Sequence, residues 1–169
     1  IDAYRANIIN TYLCKLLDRS YVLRSQWAFW QGNYHWIWER YVLKILNANG
    51  VMDWFLENYH EIAQLVFLMR HPIPVALSIL HKGWDHSLIT YLHNEYFVDA
   101  YLTQKQKAFS MDVSRDGSDL EKYVLEWCLE NLVPLRLIDE GKIPVYFFED
   151  IVTQPEMTSR KICDDLHLE

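Results

Sequence analysis

This sequence predicts an α/β fold in which helices cover a parallel sheet, and three observations lead there. Apolar residues recur at helical spacing along most of the chain. Short, continuous apolar runs interrupt that pattern. Two of these runs are followed by a proline that opens a new helix, which is the rhythm of strand and helix alternating in layers.

The 169 residues, with 51% hydrophobic, suffice for one domain with a substantial core, so the chain is read as a single domain over 1–169. Its 16 Lys and Arg against 23 Asp and Glu give a net charge of -7. Such a balance argues against a general nucleic-acid or membrane-surface binder, because phosphate surfaces are held by surplus cations. Any anion site must therefore be local. Cys14, Cys128 and Cys163 are odd in number and lack CxxC spacing, which suggests neither a disulfide framework nor a zinc cage and fits a reducing, cytoplasmic setting. No apolar stretch approaches the roughly 20 residues that span a bilayer, and no signal peptide is seen.

In chain order, Ala3 to Leu17 reads as a helix (Ile8, Ile9, Tyr12, Leu13, Leu16, Leu17), and Tyr21-Val22-Leu23 as a short strand. The aromatic stretch WAFWQGNYHWIWERY follows, its second half continuing as a helix to about Asn47, with Asn49-Gly50 as a stop signal. A shorter helix covers Met52 to Tyr59. Leu65 to Met69, five consecutive apolar residues, suits a strand covered on both faces. Pro72 opens the next helix, where its fixed φ is tolerated, and Pro74 falls in the same first turn.

One long helix is expected from Ser87 to about Ala108, then a flexible loop, SMDVSRDGS. Leu120 to Ile138 reads as one helix ended by Gly141, Ile143 to Phe148 as a strand, and Pro155 to Leu166 as a last helix. The chain opens on Ile1 inside a helix, so the domain is expected to be incomplete at its N-terminus.

Ligands of open parallel sheets bind beyond the carboxyl ends of the strands, and Arg70 stands at such an end. A guanidinium matches a phosphate bidentately and stays charged. Ser78 lies six residues beyond Pro72, about 9 Å of helix rise, beyond useful reach of the helix dipole. Helical side chains lean toward the N-terminus, so its hydroxyl can still meet a phosphate held by Arg70. The plainer alternative stays open: Arg70 paired with a carboxylate, Ser78 a small packing residue.

The arrangement strand, Arg70, x, Pro72, then Ser78 resembles the 3′-phosphate-binding segment of the sulfotransferases that use 3′-phosphoadenosine 5′-phosphosulfate (PAPS). IPVYFFEDIVTQPEMTSRKICDDLHL resembles the family's strand ending in Tyr-Glu-Asp, followed by a Pro and a helix. The resemblance covers roughly 64–169. It implies a three-layer, P-loop-like sulfotransferase fold and transfer of a sulfuryl group from PAPS, without a metal, to a hydroxyl or amine on a small-molecule or glycan acceptor. It assigns the 3′-phosphate to Arg70 and Ser78. Phe148 stands where the family's Tyr contacts adenine, keeping the ring and losing the hydroxyl. Glu149 and Asp150 are expected to hold the loop in shape.

Departures from the pattern are equally specific. The family's Pro-x-Ser-Gly-Thr-Thr donor loop is not found in the chain and would be expected before Ile1. The Arg-Lys-Gly segment of some members is also missing. Where many members carry Lys-Thr-His, this chain has Arg24, Ser25 and Gln26, and Gln26 cannot take a proton. His35 is the nearest imidazole and the candidate base; its alternative is a packed ring on an aromatic helix. Trp27, Phe29, Trp30, Tyr34, Trp36 and Trp38 wall an acceptor pocket or fill a core. HExxH, GxSxG and GxGxxG are absent, which disfavours metal, serine-hydrolase and dinucleotide chemistry. Two other readings remain, a non-catalytic sulfotransferase-like binding module and a relative of the P-loop kinases.

Overall fold

The structure, a computed structural model, describes residues 7, 8, 10, 11, 44, 48–60 and 64–168. The chain divides into two compact units, Ile1–Lys44 and Ile45–Glu169. In the first, Asn7, Ile8, Asn10 and Thr11 are helical, within the helix expected from Ala3, and the Thr11 hydroxyl donates to the Asn7 carbonyl at 2.8 Å. The strand expected at Tyr21–Leu23 and the aromatic stretch lie outside the described residues. Lys44 and Ala48, at the end of the helix expected to Asn47, are not helical.

In the second unit a 3₁₀ turn, Asn49–Val51, runs directly into α1, Met52–Tyr59. Two three-residue strands, β1 (Phe67–Met69) and β2 (Val145–Phe147), pair in parallel with Phe67 opposite Val145, Leu68 opposite Tyr146 and Met69 opposite Phe147. Both strands are shorter than their apolar runs. The expectation that β1 is covered on both faces is corrected: Phe67 and Met69 are buried, but Leu68 between them is 55% exposed.

The helix α2, Pro72–Lys82, begins where its proline predicts. The His71 ring Nδ1 accepts the Ile73 N–H at 3.2 Å, and Gly83, at φ 63°, closes the helix in the left-handed region. Pro72, Val75, Ala76 and Ile79 share one face at helical spacing, Ala76 is fully buried, and α2 packs against the helix α6 described below.

The single helix expected over Ser87 to Ala108 is three: α3 (Leu88–Leu92), α4 (Glu95–Tyr101) and α5 (Gln104–Asp116). Apolar periodicity survives across the breaks, but cap chemistry interrupts the backbone. The Asn94 side chain accepts the Phe97 N–H at 3.1 Å, and Thr103 exchanges bonds with Gln106 in a capping box. The flexible loop expected at SMDVSRDGS is likewise corrected. Helix α5 runs through it to Asp116, Arg115 bridges Asp112 at 2.9 Å and Asp116 at 2.8 Å, and only Gly117 and Ser118 lie between helices.

Ser118 and Glu121 form a second capping box that starts α6, Asp119–Glu130. The helix expected to run unbroken to Ile138 stops at Asn131, and α7 covers Leu132–Asp139. Pro134 explains the break. A continuous helix would drive its ring into the Glu130 carbonyl, whereas in the first turn of a new helix its missing N–H costs nothing. After β2, Phe148 belongs to a helix rather than the strand: α8 spans Phe148–Thr153, and α9 spans Pro155–Asp165.

Two apolar clusters hold the unit together. Met52, Phe67, Met69, Val133, Leu137 and Ile143 pack the sheet against α1 and α7, while Leu88, Leu92, Phe97, Leu125 and Leu129 join α3, α4 and α6. Tyr101 packs against both, its hydroxyl donates to Asp53 at 2.9 Å, and Arg136 covers its ring. Tyr123, Glu126 and Glu130, on one face of α6, hold in turn the Trp84 carbonyl, the Ser87 N–H and the Tyr91 hydroxyl. These contacts fasten the end of α2 and all of α3 to α6. The described part is thus α/β, mostly helical, with a small parallel sheet.

Candidate functional site at the ends of the parallel strands

The register of the sheet builds the site. Met69 and Phe147 are the last paired residues, so the next residue of each strand, Arg70 and Phe148, emerges beside its neighbour. The Arg70 guanidinium carbon lies 4.8 Å from the centre of the Phe148 ring. The donors of a guanidinium lie in its plane and outnumber what one ring contact can occupy, so N–H groups remain for a planar or tetrahedral anion. Among the described residues no carboxylate comes within ion-pair distance of Arg70. No ion pair therefore forms there, although the Arg70 charge does act on the Glu149 carboxylate.

One residue further along each strand, the same neighbourly relation recurs. Glu149 Oε1 accepts the His71 N–H at 3.0 Å, tying the start of α8 to the turn that leads into α2. Glu149 does hold this loop. Its carboxyl sits below the usual carboxylate range, chiefly because of the His71 N–H, then its own backbone N–H, with the charge of Arg70 adding to the effect. The carboxylate that the strand register brings to this end of the sheet is thus engaged by the backbone. Sequence reasoning passed over His71. A ring nitrogen directly before a helix-starting proline can cap the N–H two residues on, and that was the available signal.

Ser78, the seventh residue of α2, is half-buried. At about 100° per residue it falls on the flank of the helix away from the exposed Ile73, Leu77 and Leu80. No side-chain hydrogen bond joins it to Arg70 among the described residues. The structure therefore brings Arg70 and Phe148 together and leaves Ser78 on the following helix, while His35 lies outside the described residues.

A hollow of about 470 Å³ between β2 and α9 and one of about 530 Å³ along α9 are not lined by Arg70, Ser78 or Phe148. Among the described residues no group of three or more His, Cys, Asp or Glu is placed to hold a metal ion, and no helix is long and apolar enough to cross a membrane. Cys128 and Cys163 are free thiols, and burial pushes the Cys128 thiol up.

No family model, no curated protein and no solved structure matches this chain.

Proposed function

We propose that this chain is a PAPS-dependent sulfotransferase, or the nucleotide-holding part of one, and that the ends of β1 and β2 hold the adenosine 3′,5′-bisphosphate portion of the donor. One observation carries the reading. An arginine without an ion-pair partner among the described residues and an aromatic ring, widely separated in sequence, meet at the carboxyl ends of adjacent parallel strands, where open α/β sheets bind ligands. The residues suit the ligand: Arg70 offers a fork of donors to the 3′-phosphate from a position just before the positive end of α2, and the Phe148 face turned away from Arg70 is apolar surface for a purine. Ser78 contributes its hydroxyl to the same phosphate from α2.

In the reaction so proposed, a base removes the proton of the acceptor hydroxyl or amine, the acceptor atom bonds to sulfur, and the bond from sulfur to the 5′-phosphate oxygen breaks. Adenosine 3′,5′-bisphosphate leaves. Arg70 and Ser78 act by fixing the nucleotide, which lines sulfur up with the acceptor. His35 is the proposed base. The three-layer, P-loop-like architecture is part of the same proposal, as is the choice between a small-molecule and a glycan acceptor.

The test is binding of labelled PAPS followed by a transfer assay against phenol, amine and sugar acceptors. The reading expects saturable binding displaced by adenosine 3′,5′-bisphosphate. Displacement by adenosine alone at the same concentration would contradict it.

A further inference from the structure

We propose that the second edge of β2 is a peptide-docking site, which takes an extended segment of a partner polypeptide as an added strand. The site is separate from the strand ends and does not rest on the nucleotide reading.

Pairing with β1 commits only half of the backbone groups of β2. The Phe67 N–H donates to the Pro144 carbonyl at 3.0 Å. By the alternation of a pleated strand, Pro144 and Tyr146 turn their backbone groups toward β1, while Val145 and Phe147 turn theirs the opposite way. On that opposite side there is no further strand among the described residues. A trough of about 470 Å³ runs there instead, with β2 as one wall and Met157 and Lys161 of α9 in the other. Asp150 and Gln154 close the end near the carboxyl terminus of the strand.

An unpaired edge is a template for another chain, and the residues along this one, Val145, Tyr146 and Phe147, carry neither proline nor charge, although Pro144 precedes them and the strand is short. An added strand would be bonded by the N–H and C=O groups of Val145 and Phe147, and the trough would select its side chains.

The chemistry of the partner follows from what the trough presents. Phe147 is 44% and Met157 61% exposed, so an apolar side chain has contacts to gain there. The Lys161 ammonium stands 5.9 Å from the Tyr146 ring and has no carboxylate within ion-pair distance among the described residues. The Asp150 carboxylate likewise makes no hydrogen bond or ion pair among them. Only its carbonyl is engaged, by the Gln154 N–H and the Thr158 hydroxyl. The occupant is therefore an extended peptide with an acidic residue beside Lys161, an apolar residue over Met157, and a basic residue toward Asp150.

The experiment is selection of a random twelve-residue display library on the full chain, followed by anisotropy titration of the enriched peptides. Two controls accompany it: each peptide N-methylated at alternate residues, and the chain with Lys161→Glu. The proposal expects enriched peptides with the acidic, apolar and basic order in either direction. N-methylation, which leaves the protein untouched, should weaken binding at least about tenfold by removing ladder bonds, and Lys161→Glu should weaken it in the acidic-residue peptides. Absence of enrichment, or binding indifferent to both controls, overturns it. A concentration-dependent dimer that competes with the peptides would overturn it in favour of pairing between copies of this chain.

Discussion

The guanidinium of Arg70 rests 4.8 Å above the ring of Phe148, and the register of two three-residue parallel strands puts it there. Because the pair is a consequence of pairing, it also reports on pairing. Removing the ring with Phe148→Leu should keep the fold and lower stability by about 0.5–1 kcal/mol, the worth of an exposed cation–π contact. Urea unfolding of the two proteins measures it, and an unchanged midpoint would remove the stack as a stabilising contact.

Glu149 predicts a pH dependence. Its carboxyl is depressed by the His71 N–H first, then by its own backbone N–H and by the charge of Arg70. A depressed acid stabilises the fold above its unfolded pKa, and that contribution is lost as the pH falls through the folded value. Glu149→Gln, which accepts the bond without the charge, should therefore be less stable than the parent at pH 7 and equal to it once the acid is protonated. Denaturant midpoints measured from pH 7 down through the acid range decide the matter; a difference that does not shrink as the pH falls would assign the loss to something other than charge.

Glu130 should behave in the opposite sense. Burial raises its carboxyl first and the neighbouring Glu126 raises it further, with the Tyr91 hydroxyl acting the other way. A raised acid favours the fold below its unfolded pKa and loses that contribution as the pH rises through the folded one. Glu130→Gln should gain stability over the parent as the pH rises from 4 to 7. The same burial, with Glu130 and Glu126, pushes the Tyr91 phenol up to about 12. Thermal midpoints across this pH range check the sign, and a falling advantage would reverse it.

Gly117 is needed for space and not for its φ, which is an ordinary -69°. A Cβ there would come within 2.5 Å of the Val113 carbonyl oxygen, which already accepts the Gly117 N–H at 2.8 Å. Gly117→Ala should cost about 1–3 kcal/mol, as overpacking against immovable backbone does. Calorimetric unfolding measures it; a neutral substitution would mean the end of α5 relaxes freely.

Where one residue type dictates backbone geometry, the sequence was legible. Pro72 and Pro155 mark helix starts, and Gly141 ends α7 at φ 68°. The apolar run at Leu65–Met69 announced a strand, though not that Leu68 would face outward, because exposure depends on what else packs there. Periodicity misled over Ser87–Ala108 and Leu120–Ile138. An apolar stripe continues across a break when helices share a core, so the breaks were written only in Asn94, Thr103, Asn131 and Pro134. At the site, the types of Arg70 and Phe148 could be read in advance. Their contact could not, because it depends on the register of strands far apart in the chain.

Arg70 is proposed to hold a 3′-phosphate. The most direct measurement is calorimetric titration of the parent chain and Arg70→Ala with adenosine 3′,5′-bisphosphate and with adenosine 5′-monophosphate. Losing one charged contact of about 1.5–3 kcal/mol should weaken the bisphosphate at least about tenfold in the variant and leave the monophosphate unchanged. Equal affinities of parent and variant for the bisphosphate, or equal losses for both ligands, would contradict the account.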